Sequence, residues 1–158
     1  MSDQESDTAG SSPRLRSRWL AVGAALGGLA VIFGAFGAHG IDDTLVEVHG
    51  TSPRAYAGFE VPASYKYLQD YRTGALYHLI HAVAVVCVGA VKRPGRDRLL
   101  GASGWFFTVG ITLFSGSLYT LVLTGETWLG AVTPFGGTSL IVGWTLLAVA
   151  GLSRRTAG

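Results

Sequence analysis

Hydrophobic and polar positions in this chain come in long blocks, with no strand-like alternation. The first apolar block is WLAVGAALGGLAVIFGAFGA, Trp19–Ala38, 20 residues without a charge. A helix rises about 1.5 Å per residue, so about 20 apolar residues cross a hydrocarbon core of about 30 Å. Three further blocks lie at about 73–91, 99–123 and 131–152. The pattern predicts an all-α protein, an integral membrane bundle of four transmembrane helices. Arg14, Arg16 and Arg18 before the first block would also suit a signal peptide. Signal cores are shorter, about 7–15 residues, and later blocks of the same kind follow, so the first is expected to stay as a span. Four buried helices of a soluble core are the competing reading, but too little polar chain is present to cover them.

The polar segments complete the plan. Residues 1–13 are acidic and rich in Ser, Asp and Gly, and are expected to form a disordered cytoplasmic tail. The transmembrane domain is expected over 14–153. Its longest polar interruption, 39–72, is expected as an extracytoplasmic loop. The later half of that loop, PASYKYLQDYRTG, carries Tyr65, Tyr67 and Tyr71, which suit a membrane–water interface. Pro62 fits the first position of a helix. An interfacial helix is therefore expected from near Ala63, running directly into the second span. KRPGRDR, 92–98, is a compact basic turn with Pro94 and Gly95 as breakers.

Composition sharpens this picture. Only 14% of residues are charged, against about 25% in soluble domains. Nine Lys and Arg flank the spans at 14–18, 92–98 and 154–155, against three, Arg54, Lys66 and Arg72, on the opposite side. Positive flanks stay in the cytoplasm, so both termini are expected inside. The single Cys87 excludes an intramolecular disulfide and a CxxC metal motif. The basic residues are split among short flanks, which gives no support to nucleic-acid binding.

Four local patterns carry a resemblance: GAFGAHG at 34–40, YHLIHAVAV at 77–85, LFSGSLYTLVLTG at 113–125, and TPFGG followed by GW at 133–137 and 143–144. Together, in order over about 19–152, they resemble the family of small bacterial inner-membrane proteins typified by YgdD (domain of unknown function 423). The resemblance implies the fold and the location and carries no established activity. This chain departs from the pattern in a longer acidic N-terminal tail and a longer first outer loop, around 41–63.

With the expected topology, the unusual polar residues fall at one depth. His39 ends the first span, His78 and His81 lie in the outer half of the second, Ser115, Ser117 and Tyr119 in that of the third, and Thr133 in that of the fourth. Residues three apart share a helix face. The expectation is one polar cluster near the outer surface built by all four helices. Neutral imidazole offers one donor and one acceptor, and Ser115, Ser117, Tyr119 and Thr133 are its natural partners. Hydrogen-bonded packing is the plain reading. A metal or haem site would draw on His78, His81 and His39 as ligands. A carrier or proton relay would use the same histidines, but the inner halves hold no matching ionisable group.

Small residues recur at spacings of three and four: Gly23, Gly27, Ala30 and Gly34 in the first span, Gly101, Gly104, Thr108, Thr112 and Ser115 in the third, and Gly136, Ser139 and Gly143 in the fourth, with Gly37, Gly116 and Gly137 as further packing glycines. Such stripes let helix backbones approach closely. They are expected as seams of one tight bundle, with a homodimer interface as the alternative. No nucleophile elbow, phosphate loop or dinucleotide fingerprint is present, so no enzyme and no cofactor are expected. The sequence thus predicts a small multi-pass membrane protein that acts as a structural or interaction component. Its partners would be the lipid bilayer and other membrane proteins or a second copy. The alternative is a carrier or a metal- or haem-binding subunit.

Overall fold

The computed structural model of the chain describes residues 13–93 and 95–152. The expected tail, apart from Pro13, lies outside the described residues, as do Pro94 of the basic turn and the arginines at 154–155. The elements are α1 (Pro13–His39), α2 (Asp42–His49), a hairpin of β1 (Pro53–Tyr56) and β2 (Phe59–Pro62), α3 (Ala63–Ala90), α4 (Asp97–Thr124), a 3-10 turn (Thr127–Ala131) and α5 (Thr133–Gly151). Four helices, α1, α3, α4 and α5, are long and apolar enough to cross a membrane. Pro62 precedes α3, which runs without a break through the tyrosine-rich segment into the apolar run.

The long helices pack in chain order, α1 on α3, α3 on α4 and α4 on α5. Glycines set the α1/α3 and α4/α5 seams. A Cβ on Gly23 would stand 2.5 Å from the backbone nitrogen of Val86, and one on Gly89 would strike the backbone of Leu20, so α1 and α3 approach to backbone contact. Gly136 lies equally close to the backbone of Phe114, and Gly110 to the side chain of Leu140. Gly104 and Gly143 are notches for rings, filled by Trp19 and Phe107. Gly27 and Gly34, expected in a seam, face open space, as does Gly116, while Gly137 makes only ordinary contact with the Phe114 ring. With no hydrophobic drive between helices inside lipid, the close-approach positions hold the bundle together by dispersion and packing.

The bundle is less symmetrical than the small-residue stripes suggest. α3 and α4 form a central pair. α1 leans from α3 toward α4, touching it through Trp19 at Gly104 and through Phe33 stacked on Tyr119 with ring centroids 4.7 Å apart. α5 leans from α4 toward α3 on the opposite flank, where Trp144 meets His81. Two clefts result, one between α1 and α4, the other between α3 and α5.

The segment expected as a loop is folded into a cap. Ile41 and Leu45 are buried and seat α2 on α3 and α4. The His49 ring stacks on Tyr67 at 3.6 Å and its Nε2–H donates to the Val122 carbonyl at 2.8 Å. The β-hairpin departs from the purely helical expectation. Its two turn residues, Ala57 and Gly58, have φ of 51° and 83°, the left-handed pair that a two-residue hairpin requires. Tyr71, expected at the interface, is fully buried: its ring fills the notch at Gly37 and its hydroxyl donates to the Phe33 carbonyl at 3.0 Å.

Candidate functional site

His78 and His81 lie one turn apart on α3 and both are buried against α4. Their side chains diverge to opposite flanks. His78 lines the cleft between α1 and α4, together with Leu26, Phe33, Ile111, Ser115 and Tyr119. His81 lines the cleft between α3 and α5, with Tyr77, Phe114, Leu140 and Trp144. The single four-helix cluster expected from sequence is thus two separate sites. A step of three residues turns a helix by about 60° from a full turn, enough to send the two rings to either side of α4.

On the α5 side, the serine and threonine hydroxyls and His81 Nδ1 are paired. His81 Nδ1–H donates to the Tyr77 carbonyl at 2.7 Å, and the ring sits among Tyr77, Phe107 and Trp144. Ser103 donates to the Gly143 carbonyl at 2.8 Å and Ser139 to the Phe106 carbonyl at 2.7 Å. Ser117 and Thr133 share a hydrogen bond of 2.9 Å across the same α4/α5 seam. Each such bond between membrane helices adds about 0.6 kcal/mol, so their joint effect is to fix the register of α5 on α4.

On the α1 side, polar groups are not matched. The Tyr119 hydroxyl lies 3.4 Å from His78 Nδ1, a long contact. His78 Nε2 and Ser115 Oγ are buried and have no hydrogen-bond partner among the described residues. A polar group left unpaired in an apolar surround costs about 1–3 kcal/mol.

His39 is exposed at the end of α1 and stands apart from both sites. Among the described residues no three His, Cys, Asp or Glu side chains come together as a metal would need. His78, His81 and His39 therefore do not make one ligand set. Sequence reasoning passed over His49, Phe33 and Phe107. The signal for the last two is their helical register with Tyr119 and His81, which only the helix pairing makes visible.

Four apolar helices, a folded cap on one end and paired polar seams within define a multi-pass α-helical membrane protein. The chain belongs to the DUF423 family, since residues 33–137 match the family described as Protein of unknown function (DUF423). It is similar to the UPF0382 membrane protein YwdK of Bacillus subtilis (strain 168), 38% identical over 127 residues, covering 77% of this chain and 85% of that one. A UPF0382 membrane protein of Staphylococcus epidermidis is 35% identical over 124 residues, covering 78% and 86%. The UPF0382 inner membrane protein YgdD of Escherichia coli (strain K12) is 29% identical over 145 residues, covering 91% and 97%. No solved structure matches the chain.

Proposed function

We propose that this DUF423 membrane protein is a non-catalytic structural component of the bacterial cytoplasmic membrane, with both termini inside and the 42–62 cap outside. The observation that carries this reading is the α4/α5 seam, where Ser103, Ser139 and the Ser117–Thr133 pair all bind across helices. Polar side chains used this way hold a fixed shape. The excess of Lys and Arg on one side supports the orientation, and the name of the E. coli relative supports the inner membrane. Its partners on this reading are the bilayer and other membrane proteins or a second copy.

The test is an absorption spectrum and elemental analysis of the untagged protein in mild detergent, beside a thermal melt of His81→Ala. The expected result is a protein without a Soret band or stoichiometric metal, and a variant destabilised by about 2 kcal/mol or more through the cavity it leaves. A haem or metal that disappears in His78→Ala/His81→Ala would overturn the structural role.

A further inference from the structure

The α1/α4 cleft keeps what the packing seams use up, free hydrogen-bonding atoms beneath an open apolar groove. His78 is 4% exposed and Ser115 1% exposed, and both line this groove, which has a volume of about 420 Å³. Their Nε2 and Oγ atoms have no partner among the described residues. The Tyr119 phenol has His78 Nδ1 as its one hydrogen-bond neighbour among those residues. With the Tyr119 phenol donating across that 3.4 Å to Nδ1, the imidazole proton would sit on Nε2. On that assignment the groove lining holds two unpartnered donors, His78 Nε2–H and Ser115 Oγ–H, both buried just beneath its surface. What they lack is an acceptor.

The rest of the groove is apolar. On α4 it shows Thr112, Gly116, Thr120 and Thr124 in one stripe. Each threonine hydroxyl turns back to the carbonyl four residues earlier in its own helix, which leaves the methyl groups outward. A Cβ on Gly116 would meet nothing within 4 Å, so the groove is open there. Phe33 stacked on Tyr119 forms an aromatic wall beside the donors.

Depth narrows the class of occupant. Ser115 lies nine residues before Thr124, the end of α4, or about 14 Å down the helix. Phospholipid ester carbonyls belong to the interfacial zone outside the hydrocarbon core. A molecule that brings a carbonyl acceptor to Ser115 must have a neutral head that enters the hydrocarbon. A flat head with carbonyl oxygens suits both the two donors and the aromatic wall, and a long hydrocarbon tail suits the methyl-lined stripe.

We propose that the α1/α4 groove is a binding site for an isoprenoid quinone, with a ring carbonyl accepting from His78 Nε2–H and Ser115 Oγ–H beside Gly116 and the tail leaving past Ile111 and Thr112 toward the bilayer centre. The site uses atoms that the structural role leaves free, and its failure leaves that role standing.

The experiment titrates a quinone with a short isoprenoid tail into the full chain, held in phosphatidylcholine nanodiscs, and follows the thermal melt. Saturable stabilisation is expected. Ser115→Ala is expected to weaken binding about tenfold, the loss of one buried hydrogen bond. Gly116→Leu, which fills the groove without touching either donor, is expected to abolish binding while the ligand-free melt stays at or above that of the parent. No saturable shift, or an equal shift in Gly116→Leu, overturns the site. A shift that follows the phospholipid supplied and ignores the quinone also overturns it, and assigns the two donors to lipid esters.

Discussion

At the scale of single residues, glycines with the same spacing carry different energies. Gly136→Ala drives a methyl group into the Phe114 backbone, where nothing can swing aside. Overpacking of this kind costs about 1–3 kcal/mol. Gly27→Ala places the same methyl in open space, where the gain in helix propensity is about 0.5–1 kcal/mol. Thermal melts of the two variants in one detergent should move in opposite directions, and a fall of equal size in both would remove the distinction between seam and surface. Ala57 gives a second test. It holds a left-handed φ without being glycine, so Ala57→Asn is expected to stabilise the hairpin by about 0.5–1 kcal/mol, read from hydrogen exchange at the strand amides. The spacing of Gly23, Gly27, Ala30 and Gly34 could not reveal which members are seams. That depends on how α1 rolls against α3, and the Val86 backbone decides it.

At the scale of elements, the helices were legible because lipid leaves few alternatives. An uncharged run of about 20 residues must satisfy its own backbone, and only a helix does so locally. Pro62 and the tyrosines after it marked the start of α3 for the same local reason. The hairpin was not legible, because Ala57–Gly58 lacks the Asn or Asp that usually announces such a turn, and Pro53 and Pro62 mask the short strands. The divergence of His78 and His81 was also hidden. Their spacing places both toward α4 but does not say that α1 and α5 flank it on opposite sides. The α4/α5 seam carries its own prediction. Ser103→Ala and Ser139→Ala are each expected to cost about 0.6 kcal/mol, and the two together roughly the sum, since they bind different carbonyls. A double change far above the sum, measured by unfolding in detergent, would mean that the register of α5 slips as a unit.

At the scale of the whole molecule, the proposed topology gives the sharpest test of orientation. A reporter active only in the cytoplasm is expected to work when fused after Gly158, and one active only outside when placed in the hairpin turn at Gly58. The reversed pair of results would invert the protein. The order of packing then has a consequence for how the molecule is made. Each close seam joins a span to the one synthesised just before it: α3 on α1, α4 on α3, α5 on α4. α3, α4 and α5 thus each find their main docking surface already in the bilayer, while Trp19 and Phe33 of α1 wait for α4 to bring Gly104 and Tyr119. Assembly can keep pace with translation, and α5 arrives last, against a core that is already built.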